Sequence, residues 1–210
     1  MELYKTVDGE GCTEEIIKKS KFICWIKNIK SFQEGRDFVD EIRQRHKDAT
    51  HNVPAIVFGD KQEHQWMSDD GEPQGTAGAP ILKMVVDEGL TNIVIVVTRY
   101  FGGIKLGTGG LVRAYQGIAK KALAEIGKVQ VSEGYTFICI VDYSNLSVLR
   151  NISCSGKFEI EDERFTERVE LKIVCKIEDL NDVKKTIMDI TSGHCEIREE
   201  KKIFISRKIS

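Results

Sequence analysis

Hydrophobic and polar residues alternate with two different periods along the chain, and these periods predict strands and helices in turn. Residues 1–30 are interpreted as two strands, because β-forming side chains alternate there. A helix follows, since Ser31 and Glu34 have the spacing of a capping box. Two more strands are predicted at 53–58 and 64–67, joined by a polar turn.

The middle of the chain predicts two helices with a strand between them. Apolar residues take helical spacing after Thr76, and Gly89 ends this helix. Residues 92–98 form an uninterrupted β-branched run, which is typical of a central strand covered on both faces. A long amphipathic helix then begins near Leu111 and ends at Gly127.

From residue 132 onward the pattern predicts a second, smaller domain. Its elements are a strand at 135–141, a helix at 145–152, strands at 157–165 and 168–177, a helix at 180–190 and a strand at 195–205. This βαββαβ order is the ferredoxin-like arrangement. The predicted class is therefore α+β, with one domain at 1–131 and another at 132–210.

Composition narrows the classes of function. The formal net charge is −2, from 31 basic and 33 acidic residues, so a nucleic-acid partner would have to bind a local basic patch. No apolar run approaches the roughly 18 residues that span a bilayer, and no secretory signal is visible. Six cysteines without a CxxC pair indicate reduced thiols. We therefore expect a cytoplasmic protein with no membrane partner, no metal and no cofactor.

The first candidate site is residues 98–115, where a buried strand ends, five glycines follow and a helix begins. Glycines permit a close backbone approach, and the free N–H groups of a helix start attract anions. Neither a Walker A motif nor GxGxxG is matched. Phosphate binding and a tight turn with incidental basic residues both remain open. The candidate anion or nucleic-acid ligands are Arg99, Gly102, Gly103, Lys105, Gly107, Thr108, Gly109, Gly110 and Arg113.

The second candidate site is residues 68–80, which contain Asp69, Asp70 and Glu72. Three carboxylates in four residues could bind a hard cation or supply a general base. A more economical interpretation is that they order the basic loop by pairing with Arg99 or Arg113. His51 could also act as an acid or base, although a lone histidine is more often structural. No residue is assigned as catalytic.

The two segments SDDGEPQGTAG (68–78) and VTRYFGGIKLGTGGLVRAY (97–115) resemble the signature of the IMPACT family, in its bacterial YigZ branch. The resemblance covers about residues 1–127, and the remainder is similar to the small C-terminal domain of that branch. It implies an N-terminal domain like domain 2 of ribosomal protein S5 and a C-terminal domain like domain V of elongation factor G. Eukaryotic relatives restrain a translation-stress kinase by competing for its activator.

Three hypotheses of function follow. The first is a non-enzymatic, translation-related protein that binds RNA or the ribosome through the basic glycine-rich loop. The second is an enzyme that acts on a phosphorylated small molecule or nucleotide, with Asp70 or Glu72 as acid or base. The third is an adaptor that binds a translation-related protein. The sequence favours a protein that is not an enzyme, and it does not indicate the oligomeric state.

Overall fold

A computed structural model describes residues 2–209 of the chain. Its elements are β1 (Glu2–Val7), β2 (Glu10–Ile17), β3 (Ser20–Asn28), α1 (Phe32–Arg45), β4 (His51–Phe58), β5 (His64–Met67), α2 (Gly78–Asp87), β6 (Ile93–Tyr100), α3 (Thr108–Ile126), β7 (Lys128–Val141), α4 (Tyr143–Ser153), β8 (Phe158–Phe165), β9 (Val169–Lys176), a 3₁₀ turn (Ile177–Asp179), α5 (Leu180–Ile190) and β10 (Glu196–Lys208). The strands form two five-stranded sheets. The predicted α+β class is confirmed.

Residue contacts divide the chain into two compact units. The first comprises Tyr4–Gln130 together with residues 207–209. The second comprises Val131–Ser206 together with residues 2–3. Residues 207–209 belong to the first unit, and Ile209 N donates to Lys128 O at 2.9 Å.

The sheet of the first unit has the order β2-β3-β6-β4-β5, and every neighbouring pair is antiparallel. Side chains of the central strand β6 alternate between its two faces. Val94 and Val96 pack with the buried side of α1, whereas Ile93, Ile95 and Val97 pack with α2 and α3. The prediction of a central strand covered on both faces is confirmed.

The predicted start of α1 is confirmed by its capping contacts. Ser31 Oγ accepts a hydrogen bond from Glu34 N at 3.0 Å. Glu34 Oε2 in turn accepts from Lys30 N at 2.8 Å. The first contact satisfies an N–H group that the helix leaves without an acceptor, and the second ties the residue before the cap to the first turn.

The prediction of two strands before α1 is wrong, because the structure contains three. Gly9, with φ of 85°, separates β1 from β2. Lys18 and Lys19 separate β2 from β3 with φ of 45° and 66°. Two lysines in the left-handed region are not the glycine or asparagine signal by which such turns are predicted.

The second unit has the predicted βαββαβ order. In its sheet β7 lies between β10 and β9, and β8 pairs with the other edge of β9. Leu149 of α4 and Val183 and Ile187 of α5 pack on Phe137 and Cys139 of β7 to form the core. The face of β7, β8 and β9 that carries Ile138, Lys172 and Asp162 lines a cavity of about 690 Å³. The strand β7 begins earlier than predicted, at Lys128.

All six cysteines are free thiols, but they do not share one environment. Cys24, Cys139 and Cys175 are buried, whereas Cys12 and Cys154 are exposed. Burial raises the pKa of the Cys139 thiol to about 12 and that of Cys175 to about 11.

Within residues 2–209 no helix is both long enough and apolar enough to span a bilayer.

Candidate functional site

The glycine-rich loop, residues 101–107, connects β6 to α3. Gly102 approaches the β2–β3 turn so closely that a Cβ atom on it would lie 1.9 Å from the carbonyl oxygen of Lys19. Its N–H donates to Ser20 Oγ at 3.2 Å. Gly107, at the other end, has a backbone φ of 73°, which residues other than glycine rarely adopt. The path of the loop therefore depends on its glycines.

The first turn of α3 presents backbone N–H groups at the surface. Gly107 is the N-cap and has no side chain to accept from them. The first hydrogen bond of the helix runs from Leu111 N to Gly107 O, so the N–H groups of Thr108, Gly109 and Gly110 precede it. Thr108 and Gly109 are exposed. This geometry attracts an anion, because the helix dipole adds positive potential at the same point.

Two exposed cations flank this helix start. Lys105 lies in the loop, and Arg113 lies further along α3. A Cβ atom added to Gly109 would be 3.8 Å from Arg113 Nη1, so the guanidinium lies beside the first turn. Among residues 2–209 neither cation has an ion-pair partner. Phe101 and Ile104 are 45% and 40% exposed, so apolar surface accompanies the charge.

The third predicted cation, Arg99, is not at this surface. Its side chain is 5% exposed, and Nη1 donates to Glu72 Oε1 at 2.5 Å. Strand alternation explains the difference, because Arg99 follows Ile95 and Val97 on the face of β6 that is covered by α2 and α3. The structure therefore corrects the expectation that Arg99 contacts phosphate.

Arg99 belongs to a buried polar group, which we call the Glu72 cluster: His51, Glu72, Arg99 and Tyr115. Tyr115 Oη donates to Glu72 Oε1 at 2.8 Å. Burial, followed by the charge of Glu72, raises the pKa of Tyr115, so the phenol remains a hydrogen-bond donor. The Glu72 side chain is only 3% exposed. Neither charge of the pair can be removed without leaving the other buried and unpaired.

Asp69 holds the start of α2. Its Oδ1 accepts from Ala77 N at 3.1 Å and from Gly78 N at 2.8 Å, and its Oδ2 accepts from Gly75 N at 2.7 Å. No side chain at the N-cap position of α2 makes such a bond. Asp69 therefore performs the capping role from the preceding loop.

Asp70 connects the segment 68–80 to β4 and α1. Its Oδ2 accepts from Asn52 N at 2.6 Å, and its Oδ1 accepts from Arg43 Nη2 at 3.1 Å. The carbonyl oxygen of Asp70 lies 2.7 Å from His51 Nδ1. All three predicted carboxylates thus have structural partners. Within residues 2–209 no three His, Cys, Asp or Glu side chains are arranged to hold a metal ion.

The structure brings the two predicted segments together at one point. Of the two pairings expected for the acids, it contains Glu72 with Arg99 and, among the described residues, none with Arg113. Tyr115 and Ser20 are polar members of this region that were not among the predicted site residues. Both could have been found from periodicity, because Tyr115 lies on the apolar stripe of α3 and Ser20 on the buried face of β3.

Comparison with known proteins is consistent with this architecture. The Impact N-terminal domain matches residues 18–123, and a domain of unknown function, DUF1949, matches residues 139–194. The chain is 34% identical to IMPACT family member YvyE of Bacillus subtilis, over 99% of this chain and 95% of that protein. It is 41% identical to IMPACT family member YigZ of Escherichia coli, over 68% of this chain and 72% of that protein.

A solved crystal structure of a hypothetical protein is also similar. It superimposes with a TM-score of 0.59 at 31% sequence identity and covers 94% of this chain and 97% of that one. Fold and site together define a two-domain α+β protein whose glycine-rich loop is connected through Ser20 to a buried ion pair. The chain belongs to the IMPACT family, which confirms the resemblance to its YigZ branch.

Proposed function

We propose that this protein is a non-enzymatic regulator of translation that binds RNA, including RNA on the ribosome, through the glycine-rich loop and the first turn of α3. One observation carries the proposal. Lys105 and Arg113 are exposed and unpaired among residues 2–209, and they flank a helix start whose N–H groups have no side-chain cap. Uncompensated positive charge at free N–H groups is suited to a phosphate backbone.

The surroundings of the loop support an extended ligand rather than a single phosphate. Lys18 and Lys19 are exposed on the turn that contacts Gly102, so they add positive charge beside the loop. Phe101 offers a partly exposed ring on which an unpaired base could stack. A row of cations with an aromatic side chain is the usual composition of a single-stranded RNA site.

The enzyme alternative has less support, because the carboxylates that would act as acid or base have other partners. Asp69 caps α2, Asp70 binds Asn52 N and Arg43, and Glu72 is buried against Arg99. A general base needs an unengaged oxygen or nitrogen within reach of a substrate. Membership of the IMPACT family supports the connection to translation, because the family resemblance implies that role.

A photo-crosslinking amino acid placed at Ile104 tests the proposal in living cells. Ile104 is 40% exposed within the loop. The matched control carries the same group at Lys61, which is exposed at the opposite end of the β4–β6 pair. We expect RNA attached at position 104 and background at position 61. Crosslinks at 104 to protein alone would replace the proposal with the adaptor hypothesis, and equal RNA capture at both positions would overturn it.

A further inference from the structure

One oxygen atom lies at the centre of the Glu72 cluster. Glu72 Oε1 is 2.5 Å from Arg99 Nη1, 2.8 Å from Tyr115 Oη and 3.7 Å from His51 Nε2. A carboxylate oxygen has two lone pairs, and here Arg99 and Tyr115 occupy them. A third donor can therefore bind this oxygen only by displacing one of the first two or by turning the carboxylate.

The tautomer of His51 follows from its other ring nitrogen. Nδ1 lies 2.7 Å from the carbonyl oxygen of Asp70, and a carbonyl oxygen can only accept a hydrogen bond. Nδ1 therefore carries the hydrogen in the neutral ring, and Nε2 faces the Glu72 carboxylate as an acceptor. A proton added to the ring goes to Nε2 and turns it into a cationic donor aimed at Glu72 Oε1.

A chain of hydrogen bonds connects this oxygen to the glycine-rich loop. Arg99 Nη2 donates to Ser20 Oγ at 3.3 Å, and Ser20 Oγ also accepts from Gly102 N at 3.2 Å. The Arg99 guanidinium carbon is 5.4 Å from the centre of the Phe101 ring. His51 and Arg99 are directly opposite each other in the β4–β6 pair. A shift of the Arg99 guanidinium would therefore change the contacts of Phe101 and Gly102, the first residues of the loop.

We infer that His51 is a positioning residue that makes the glycine-rich loop respond to protonation, by competing with Arg99 for Glu72 Oε1. In the neutral state Arg99 binds Glu72 and holds Ser20, which fixes Gly102. In the protonated state His51 takes part of that carboxylate, and the hold on Gly102 weakens. Protonation of His51 would regulate the loop that is proposed to bind RNA, so the effect on RNA binding rests on the proposed function.

Other ionisable groups lie near His51 on both sides of its ring. Glu72 Oε1 lies 3.7 Å from its Nε2, and Arg99 is opposite it in the β4–β6 pair. Tyr115 donates to the same carboxylate oxygen, and burial raises the pKa of Tyr115. The Asp70 carboxylate is held by Asn52 N and Arg43. A second histidine, His46, bonds Tyr100 Oη through Nδ1 at 2.8 Å. Burial, with the nearby Arg45, lowers the pKa of His46, so it takes up a proton at more acidic pH than an ordinary histidine.

Amide hydrogen exchange in the RNA-free protein tests the inference. Exchange at Gly102 and Gly103 is measured by NMR between about pH 5 and pH 8, the range in which imidazoles titrate. The ring signals of His51 and His46 are followed in the same samples. After correction for the intrinsic pH dependence of exchange, we expect protection at Gly102 to fall about fivefold, the effect of one lost hydrogen bond. The fall should share the midpoint of His51.

Two variants identify the responsible group. His51→Asn keeps an N–H donor for the Asp70 carbonyl oxygen and cannot titrate, so protection at Gly102 should become independent of pH. His64→Asn, on the edge strand β5, should keep the wild-type response. Constant protection in the wild type, a response that persists in His51→Asn, or a midpoint that matches His46 would each overturn the inference. The wild-type titration decides the first and third outcomes without any variant.

RNA affinity is measured separately, so the two proposals can fail independently. If exchange follows His51 but no RNA binds at any pH, the coupling stands and the proposed function is wrong. If RNA binds but the protection of the Gly102 amide does not follow the titration of His51, the proposed function stands and the coupling is wrong.

Discussion

The glycine-rich loop with the first turn of α3 contrasts with the open face, the face of β7, β8 and β9 that carries Lys172 and Asp162. Both regions carry several charged side chains, but only the open face places opposite charges next to one another. At the loop, Lys105 and Arg113 have no ion-pair partner among residues 2–209. On the C-terminal face, Lys172 lies opposite Asp162, and Glu170 lies opposite Arg164. The number of charges therefore does not distinguish the two regions, whereas the pairing of opposite charges does.

The two regions also differ in the burial of their neighbouring ion pairs. Next to the loop is the pair of Glu72 with Arg99, whose side chains are 3% and 5% exposed. The C-terminal face has the pair of Lys172 with Glu161 at 2.7 Å, with both side chains about half exposed. Burial raises the cost of separating charges, because water no longer solvates the one that is left. Breaking the buried ion pair beside the loop should therefore lower the free energy of unfolding far more than breaking an ion pair on the open face.

The largest expected effect is loss of stability on substitution of Glu72. Glu72→Gln leaves the Arg99 charge buried without a counter-ion, so we expect the free energy of unfolding to fall by about 3–5 kcal/mol. Glu170→Gln removes a carboxylate from the open face and should cost less than about 1 kcal/mol. Urea denaturation of both variants measures the difference. Equal losses would show that burial does not distinguish the two regions.

A smaller effect is expected when Gly102 acquires a side chain. Its Cβ would lie 1.9 Å from the Lys19 carbonyl oxygen, which belongs to the backbone and cannot rotate away. We expect Gly102→Ala to cost about 1–3 kcal/mol, as overpacking does elsewhere. Gly117→Ala is the matched control, because it is exposed within α3 and its Cβ would meet nothing within 4 Å. That change should stabilise the protein by about 0.5–1 kcal/mol. A neutral Gly102→Ala would mean that the loop is not held at this point.

The smallest effect concerns acid stability of the second unit. The hydrogen bond from Arg150 holds the pKa of Glu163 below its usual value. Because the folded-state pKa is lowered, the stabilisation is present above the pKa of Glu163 in the unfolded chain and is lost as pH falls through the folded-state pKa. Urea midpoints on both sides of the ordinary carboxyl pKa, about 4, should show a small acid loss that Glu163→Gln abolishes. An identical acid profile in the variant would contradict this assignment.

The sequence predicted most of the fold, because hydrophobic periodicity is a local property. The position of β6 and the capping of α1 by Ser31 both follow from nearby residues. The turn at Lys18 and Lys19 could not be predicted by the usual signals, because its residues are not those that favour positive φ. Asp69 could not be recognised as a cap either, since it reaches Gly78 from nine residues away.

The sequence predicted which segments carry the candidate residues, but not the surroundings of each side chain. Lys105 and Arg113 are exposed as a contact surface requires. Arg99 was interpreted from its charge and its nearness to glycines, whereas strand alternation already placed it on a buried face. The Glu72 cluster joins residues from four separate segments, so its geometry depends on tertiary packing that local patterns do not contain.

Under the proposed function, the uncompensated cations Lys105 and Arg113 bind RNA phosphates. The most direct test is the slope of log affinity for ribosomal RNA against log salt concentration, measured for three proteins. Lys105→Gln with Arg113→Gln should reduce the slope by about 2, roughly one unit for each lost phosphate contact. Lys172→Gln with Arg164→Gln removes the same charge from the open C-terminal face and should leave the slope unchanged. A slope that falls equally in both variants, or only in the second, would contradict the account.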